Sequence, residues 1–160
     1  MTQLSEHFQQ SEFERDAVLP FDCIPIFQML CANVLEPIRD YAGPLLITSG
    51  YRPPEANAAA HGVPNSQHIA TPHECAADFE AVNSHDLRHI FDWIRLKSGL
   101  PIDQLILEHQ QNGGPDVIHV SYVIEGARRE ALEGATANQS ANMRATFNGP
   151  EEAQNFIWTA

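Results

Sequence analysis

The sequence predicts an α+β domain built on a small, mostly antiparallel sheet with flanking helices. Two segments carry apolar residues at spacings of three and four, which is the period of an amphipathic helix. Four short apolar runs are typical of strands, and a glycine- and proline-containing turn joins the last two as in a hairpin. At 160 residues the chain has the length of one domain with a substantial core.

The N-terminal third is predicted to contain two helices and a strand. Ser11 is expected to cap a short helix, because the acidic residues after it favour the first turn of a helix. Residues 23–41 predict a longer amphipathic helix, with a bend at Pro37 near its end. After the glycine and proline at positions 43 and 44, residues 45–48 predict a buried strand.

The remaining elements follow a long loop. Five prolines and glycines in residues 51–72 predict this loop, and residues 75–82 predict a second strand. Ser84 is expected to cap a helix that ends at the glycine in position 99. Residues 104–108 and 117–124 then form the predicted hairpin.

Composition excludes several classes of protein. The chain has 9 Lys and Arg against 21 Asp and Glu, and its net charge of −12 argues against binding to nucleic acid or to anionic membranes. No run approaches the roughly 18 apolar residues of a membrane span, so no membrane insertion is expected. Residues 1–16 are polar and acidic, so no signal peptide is expected. The three cysteines lack the spacing of a zinc finger and predict no disulfide framework.

Polar residues interrupt two of the predicted strands. Asp78 stands in one apolar run and His119 in the middle of another. A carboxylate in such a run is costly unless it is paired or binds a metal ion. With His68 in the preceding loop, the chain offers two imidazoles and one carboxylate, which suits a catalytic zinc ion with a fourth position left to water. A buried Asp–His hydrogen bond without a metal explains the same pattern, so both possibilities stay open.

Seven sequence blocks extend this pattern from about Leu4 to Tyr122. In order they are LSEHF at 4–8 with SEF at 11–13, VLEPIR at 34–39, ITSGYRP at 47–53 with Asn57, SQH at 66–68, AADF at 76–79, DQLI at 103–106 and IHVS at 118–121. With these blocks the chain resembles the zinc D-alanyl-D-alanine carboxypeptidase and L-alanyl-D-glutamate endopeptidase family, especially its short phage and prophage (endolysin-like) members. The resemblance implies a hedgehog/DD-peptidase-like fold.

The resemblance also implies one zinc ion (Zn²⁺) per chain, held by His68, Asp78 and His119. One feature departs from the family pattern, because His68 and Asp78 are ten positions apart where the family usually has seven. A loop can lengthen without moving its ends, which keeps His68 as the ligand. The inserted residues include His73, which is the alternative metal ligand.

The catalytic carboxylate of the family lies three residues before the last histidine, which here is Asp116. It would act as general base toward water and then protonate the leaving amine. Residues three apart in a strand point to opposite faces, so a turn or bulge after Pro115 would have to re-aim Asp116. Glu108 is the alternative base. The resemblance implies that Arg52 is the second catalytic residue, which binds the substrate or the oxyanion. The substrate-binding residues that it implies are Arg52, Ser66 and Tyr51.

The function implied by the resemblance is hydrolysis of peptide bonds in the stem peptides of bacterial peptidoglycan. A phage or prophage protein of this kind would be made in the host cytoplasm, and would reach the cell wall through a membrane pore or as part of a virion. We expect it to act as a monomer. Two alternatives stay open, namely a non-catalytic zinc-containing binding or virion-structural module of the same fold, and a soluble D-dipeptidase.

The predicted organisation is a zinc peptidase-like domain at residues 1–124 and a C-terminal extension at 125–160 packed on the same domain. Within the extension, Arg128 and Arg129 are expected to be a solvated pair of charges, with a position facing the substrate as the alternative. The apolar residues 156–158 are expected to pack onto the core.

Overall fold

The computed structural model describes residues 2–110, 113–135, 143–146 and 158–159. Within this part of the chain, seven strands form one sheet, namely β1 (Leu45–Ser49), β2 (Glu74–Ala81), β3 (Gln104–His109), β4 (Val117–Val123), β5 (Glu130–Ala135), β6 (Met143–Thr146) and β7 (Trp158–Thr159). Their order is β1-β2-β4-β3-β5-β6-β7, and all neighbours are antiparallel except β3 and β5, which are parallel. The predicted α+β class with a mostly antiparallel sheet is confirmed.

The long N-terminal helix is continuous and contains a π turn. It consists of a 3-10 turn (Phe21–Cys23), α1 (Ile24–Leu30), the π turn (Cys31–Leu35) and α2 (Glu36–Ala42). The Glu36 N–H donates to the carbonyl of Cys31, five residues back. Pro37 has no N–H and its ring crowds the preceding turn, so the wider turn takes the place of the predicted bend.

This helix forms the centre of the core. Its residues Phe27, Leu30, Leu35 and Ile38 are fully buried, and α1 packs against β2 and β4. Among the described residues, Phe21–Ala42 is the one helix long and apolar enough to cross a membrane by length and composition. Its burial against the sheet is typical of the core helix of a globular domain, so the composition alone is weak support for a membrane span.

Two other predicted elements are corrected by the structure. The segment predicted as a long loop contains α3 (Pro54–Ala59) and a short 3-10 helix (Gln67–Ile69). Pro54 occupies the first position of α3, where a missing N–H costs nothing, so this proline begins a helix rather than interrupting one. The predicted helix near Ser11 is a single 3-10 turn (Gln10–Phe13), and Glu12 closes it by accepting the N–H of Gln9 at 2.8 Å.

The second amphipathic helix starts later than predicted. α4 spans Arg88–Trp93 and continues through a π turn (Ile94–Ser98) to Gly99, which has a φ of 64°. The Asp86 carboxylate accepts the first helical N–H, and the Ser84 hydroxyl bonds to Asp86 instead of capping the helix directly.

The register of the central strands places polar side chains on one face of the sheet. Asp78 on β2 pairs with His119 on β4, which pairs with Ile106 on β3. Directly paired residues point to the same face, and Glu108 joins them because it lies two positions along β3. The opposite face carries fully buried apolar side chains, among them Phe79, Leu105, Ile118 and Val120.

The chain beyond residue 124 contributes strands to the same sheet. β5 pairs in parallel with β3 over its whole length. Residues 156–158 were predicted to pack onto the core. Residues 156 and 157 lie outside the described residues, and Trp158 belongs to β7.

Candidate metal centre

Three elements bring the predicted ligands together on the polar face of the sheet. Asp78 and His119 stand opposite each other on β2 and β4. His68 is the middle residue of the 3-10 helix Gln67–Ile69, and its N–H donates to the Ser66 hydroxyl at 3.3 Å. This cap turns the chain so that His68 lies over the two strands.

The three side chains could hold a metal ion. His68 Nε2 is 3.2 Å and His119 Nδ1 is 2.8 Å from the same atom, Asp78 Oδ1. One donor atom from each residue lies within 4.8 Å of the others. All three residues are at least nine-tenths buried. Two imidazole nitrogens and one carboxylate oxygen, open on one side, are a donor set that fits a catalytic zinc ion.

The electrostatics of the cluster favour the protonation states that a metal ion requires. Burial alone would raise the pKa of Asp78, but the charges and hydrogen bonds of His68 and His119 outweigh burial and hold that pKa well below its ordinary range. Burial lowers the pKa of His119, against the opposing effect of Asp78. An ionised carboxylate and a neutral imidazole are the forms that coordinate metals.

A second contact orients His68. Its Nδ1 lies 2.8 Å from the carbonyl oxygen of Gly50, which accepts the proton of this nitrogen, so Nε2 is the ring nitrogen that faces Asp78 and is placed to coordinate a metal ion. The backbone of Gly50 can approach because it has no side chain, since a Cβ there would lie 2.6 Å from the Cα of Phe13.

The cluster opens into a cavity of about 670 Å³. Arg52 lies on its wall, donates from Nη2 to the Ser49 hydroxyl at 2.8 Å, and has its Nε 3.7 Å from a carboxylate oxygen of Asp16. Ser66 also lines the cavity, whereas Tyr51 does not and packs against the core. Further lining residues come from the segment 60–67, from β1 to β4, from the segment before β4 and from the chain after it, and include His61, Asn65, Glu80, Gln104, Pro115 and Arg128.

The structure places the two candidate bases on opposite faces of the sheet. Glu108 lines the cavity, and burial, followed by the charge of Asp78, raises its pKa to about 8. Asp116 is not among the residues that line the cavity, and its carboxylate lies 2.8 Å from His109 Nδ1. His109 also bonds Glu133 through Nε2 at 2.8 Å. In the part of the chain that the structure describes, the register of β3 and β4 contains no bulge that would re-aim Asp116, so Glu108 is the one of the two carboxylates that faces the metal centre.

The longer spacing between His68 and Asp78 is absorbed by a tight turn. Ala70 has a φ of 56°, and Thr71 and Glu74 exchange backbone hydrogen bonds of 2.9 and 3.4 Å. The extra residues therefore form a turn that leads into β2. His73 lies in this turn, is exposed and does not line the cavity, so the structure does not bring it to the cluster.

Sequence reasoning missed a polar network beside the metal centre. Arg128 is half-exposed and lines the cavity, as the alternative expectation had it, and it pairs with the buried Asp103 at 2.7 Å. Both residues contact Gln67. The signal that could have found it was Asp103 itself, an acidic residue at the start of an apolar strand, which burial makes costly without a partner.

The family model of Peptidase M15 matches residues 6–120. The matched range includes the three candidate ligands together with Arg52, Glu108 and Asp116, and ends before Arg128. No curated protein matches the sequence.

Proposed function

The chain belongs to the Peptidase M15 family, and from this premise we propose that it is a zinc-dependent peptidase acting on the stem peptides of bacterial peptidoglycan. The observation that carries the proposal is the convergence of His68, Asp78 and His119 at the floor of an open cavity. Glu108 and Arg52 on the walls of the same cavity add a proton acceptor and a permanent positive charge. Family membership supports the peptidase activity, and the donor set supports zinc.

The proposed reaction is hydrolysis of an amide bond. A bound zinc ion would supply Lewis-acid chemistry, polarising the scissile carbonyl and acidifying a water molecule. Glu108 accepts the proton of the attacking water and passes it to the leaving amine. Burial and the charge of Asp78 raise the pKa of Glu108 in the metal-free protein, and a zinc cation beside Asp78 would offset that charge and favour the ionised carboxylate that can accept a proton.

Arg52 binds negative charge on the substrate or on the developing oxyanion. Its guanidinium stays protonated and presents several donors, of which one is held by the Ser49 hydroxyl. The Asp16 carboxylate, 3.7 Å from Nε and half-exposed, forms an ion pair of the weak, solvent-exposed kind, which a substrate anion would displace or share. Ser66 contributes mainly by capping the helix that carries His68.

The biological setting that we propose is cell-wall degradation during phage lysis or by a virion component. A net charge of −12 gives the chain no electrostatic attraction to an anionic wall. Recognition would therefore depend on the cavity, and delivery on a membrane pore or a virion.

The test is hydrolysis by the zinc-loaded protein of two substrates, purified sacculi and a free D-alanyl-D-alanine dipeptide. Release of peptides from sacculi, abolished by a chelator and restored by zinc, is the expected result. Cleavage of the dipeptide alone would make the chain a soluble D-dipeptidase. Zinc binding without cleavage of either substrate would favour a non-catalytic binding or virion-structural module.

A further inference from the structure

The polar face of the sheet carries an ionic network beside the metal centre, in which Asp103 is buried and Arg128 is half-exposed and lines the cavity. Asp103, only 2% exposed, accepts hydrogen bonds from the main-chain N–H of Arg128 at 2.6 Å and from its guanidinium at 2.7, 3.1 and 3.2 Å. The hydroxyl of Ser121 donates to the same carboxylate at 3.3 Å. Ser121 lies two positions from His119 on β4, so the network and the metal centre are neighbours on one face.

Gln67 joins this network to the first ligand. Its Nε2 donates to Asp103 at 2.9 Å and to Glu74 at 3.3 Å, and its Oε1 accepts from Arg128 Nη2 at 2.9 Å. These contacts use both donors and the acceptor of the amide, which gives the side chain a single orientation. Because Gln67 directly precedes His68 in the 3-10 helix, an oriented Gln67 fixes that helix at its first residue.

His68 depends on such support more than the other two ligands. Asp78 and His119 lie on paired strands in the interior of the sheet, whereas His68 lies on a three-residue helix in a connecting segment. A ligand on a loop is held in place only as well as the groups around it are. The Gly50 carbonyl holds the imidazole, and Gln67 holds the backbone.

We infer that Arg128 is a positioning residue for the metal centre, because together with Asp103 it holds Gln67 and thereby sets the position of His68. The inference rests on the proposed zinc site. Arg128 lies beyond residues 6–120, which the family match covers. The segment between β4 and β5 therefore helps to position the metal ligands in this chain.

The experiment compares Gln67→Ala, Arg128→Ala and the double variant with the natural protein. Arg15→Ala is the control, because it removes an arginine from an exposed position. Zinc affinity is measured by competition with a chelator, and the visible spectrum of the cobalt(II)-loaded protein reports the geometry of the ligands.

We expect each single variant to bind zinc about 10-fold more weakly, with a changed cobalt spectrum. The double variant should match Gln67→Ala alone, because Arg128 acts through Gln67. Arg128→Lys, which keeps the charge without the fork of donors, should fall between Arg128→Ala and the natural protein.

Two results would overturn the inference. One is that Gln67→Ala leaves both the zinc affinity and the cobalt spectrum unchanged. This variant keeps the Asp103–Arg128 ion pair, so it remains informative even if Arg128→Ala does not fold. The other is full additivity of the two single variants. If the natural protein itself bound no zinc, the proposed function would fail first, and the inference with it.

Discussion

Asp78 and His119 face each other directly across β2 and β4, with Asp78 Oδ1 2.8 Å from His119 Nδ1. The same oxygen is 3.2 Å from His68 Nε2. Without a metal ion, these contacts satisfy a buried carboxylate that would otherwise be costly. The three donor atoms therefore converge on one point, and a metal ion bound there would displace the protons of these hydrogen bonds.

The choice between Glu108 and Asp116 can be tested by amide variants. We expect Glu108→Gln to lower kcat for stem-peptide hydrolysis by about 10²–10⁴-fold, because an amide cannot accept the proton. Asp116→Asn is the matched control and should keep most of the activity, since Asp116 bonds His109 away from the cavity. Zinc content should be unchanged in both. Loss of activity in Asp116→Asn with activity kept in Glu108→Gln would identify Asp116 as the base.

The role of Arg52 predicts a loss of rate without a loss of metal. We expect Arg52→Ala to lower kcat by about 10²–10³-fold, which is typical of removing one donor to an oxyanion. Arg52→Lys should recover only part of this loss, because a lysine lacks the fork of donors. The measurement is steady-state kinetics with zinc content determined on the same samples. Activity equal to that of the natural protein in Arg52→Ala would remove Arg52 from the mechanism.

Glu108 predicts a pH dependence of stability in the metal-free protein. Burial and the charge of Asp78 raise its pKa from 4.5 to about 8, so the folded protein keeps a proton that the unfolded chain releases. This stabilisation is fully present below pH 4.5 and is lost as the pH rises to about 8. Relative to Glu108→Gln, the natural protein should lose free energy of unfolding across that range, as measured by denaturant titration with a chelator present. A constant difference between the two proteins from pH 4.5 to 8 would contradict the raised pKa.

Gly50→Ala should weaken folding and metal binding together. The added Cβ would lie 2.6 Å from Cα and 2.7 Å from the carbonyl oxygen of Phe13, so backbone has to move. We expect a loss of about 1–3 kcal/mol in the free energy of unfolding. Zinc affinity should fall as well, because the Gly50 carbonyl orients His68.

Gly113→Ala is the control for Gly50→Ala. A Cβ at position 113 meets no atom within 4 Å, and its only cost is a φ of +78°. Zinc affinity should therefore be unchanged in this variant. A Gly50→Ala protein with the zinc affinity of the natural protein would show that the carbonyl contact does not position His68.

The sequence predicted those helices and strands in which apolar residues recur at the regular spacing of the element. The core helix, β1, β2 and the hairpin of β3 and β4 follow directly from that spacing. β5 was missed because residues 130–135 read EALEGA, a composition that favours a helix. Its strand conformation comes from parallel pairing with β3, which is a tertiary contact that no local window contains.

The candidate site was predictable in composition but not in geometry. Asp78 and His119 could be recognised because each interrupts an apolar strand. His68 could be recognised because it ends the SQH block at 66–68. The preference between Glu108 and Asp116 depended on which face of the sheet each side chain occupies, and this is set by strand register. The place of Arg128 depended on a partner, Asp103, that lies 25 residues earlier in the chain.

The central claim is that His68, Asp78 and His119 form a zinc site, and zinc content after dialysis tests it most directly. The natural protein should retain about one zinc ion per chain. Asp78→Asn should retain almost none. Loss of a supporting contact lowers metal affinity about 10–100-fold, and loss of a ligand lowers it further. Glu80→Gln, which removes a carboxylate from the same strand and the same cavity, should bind as the natural protein does. A natural protein without zinc, or an Asp78→Asn protein that keeps it, would contradict the account.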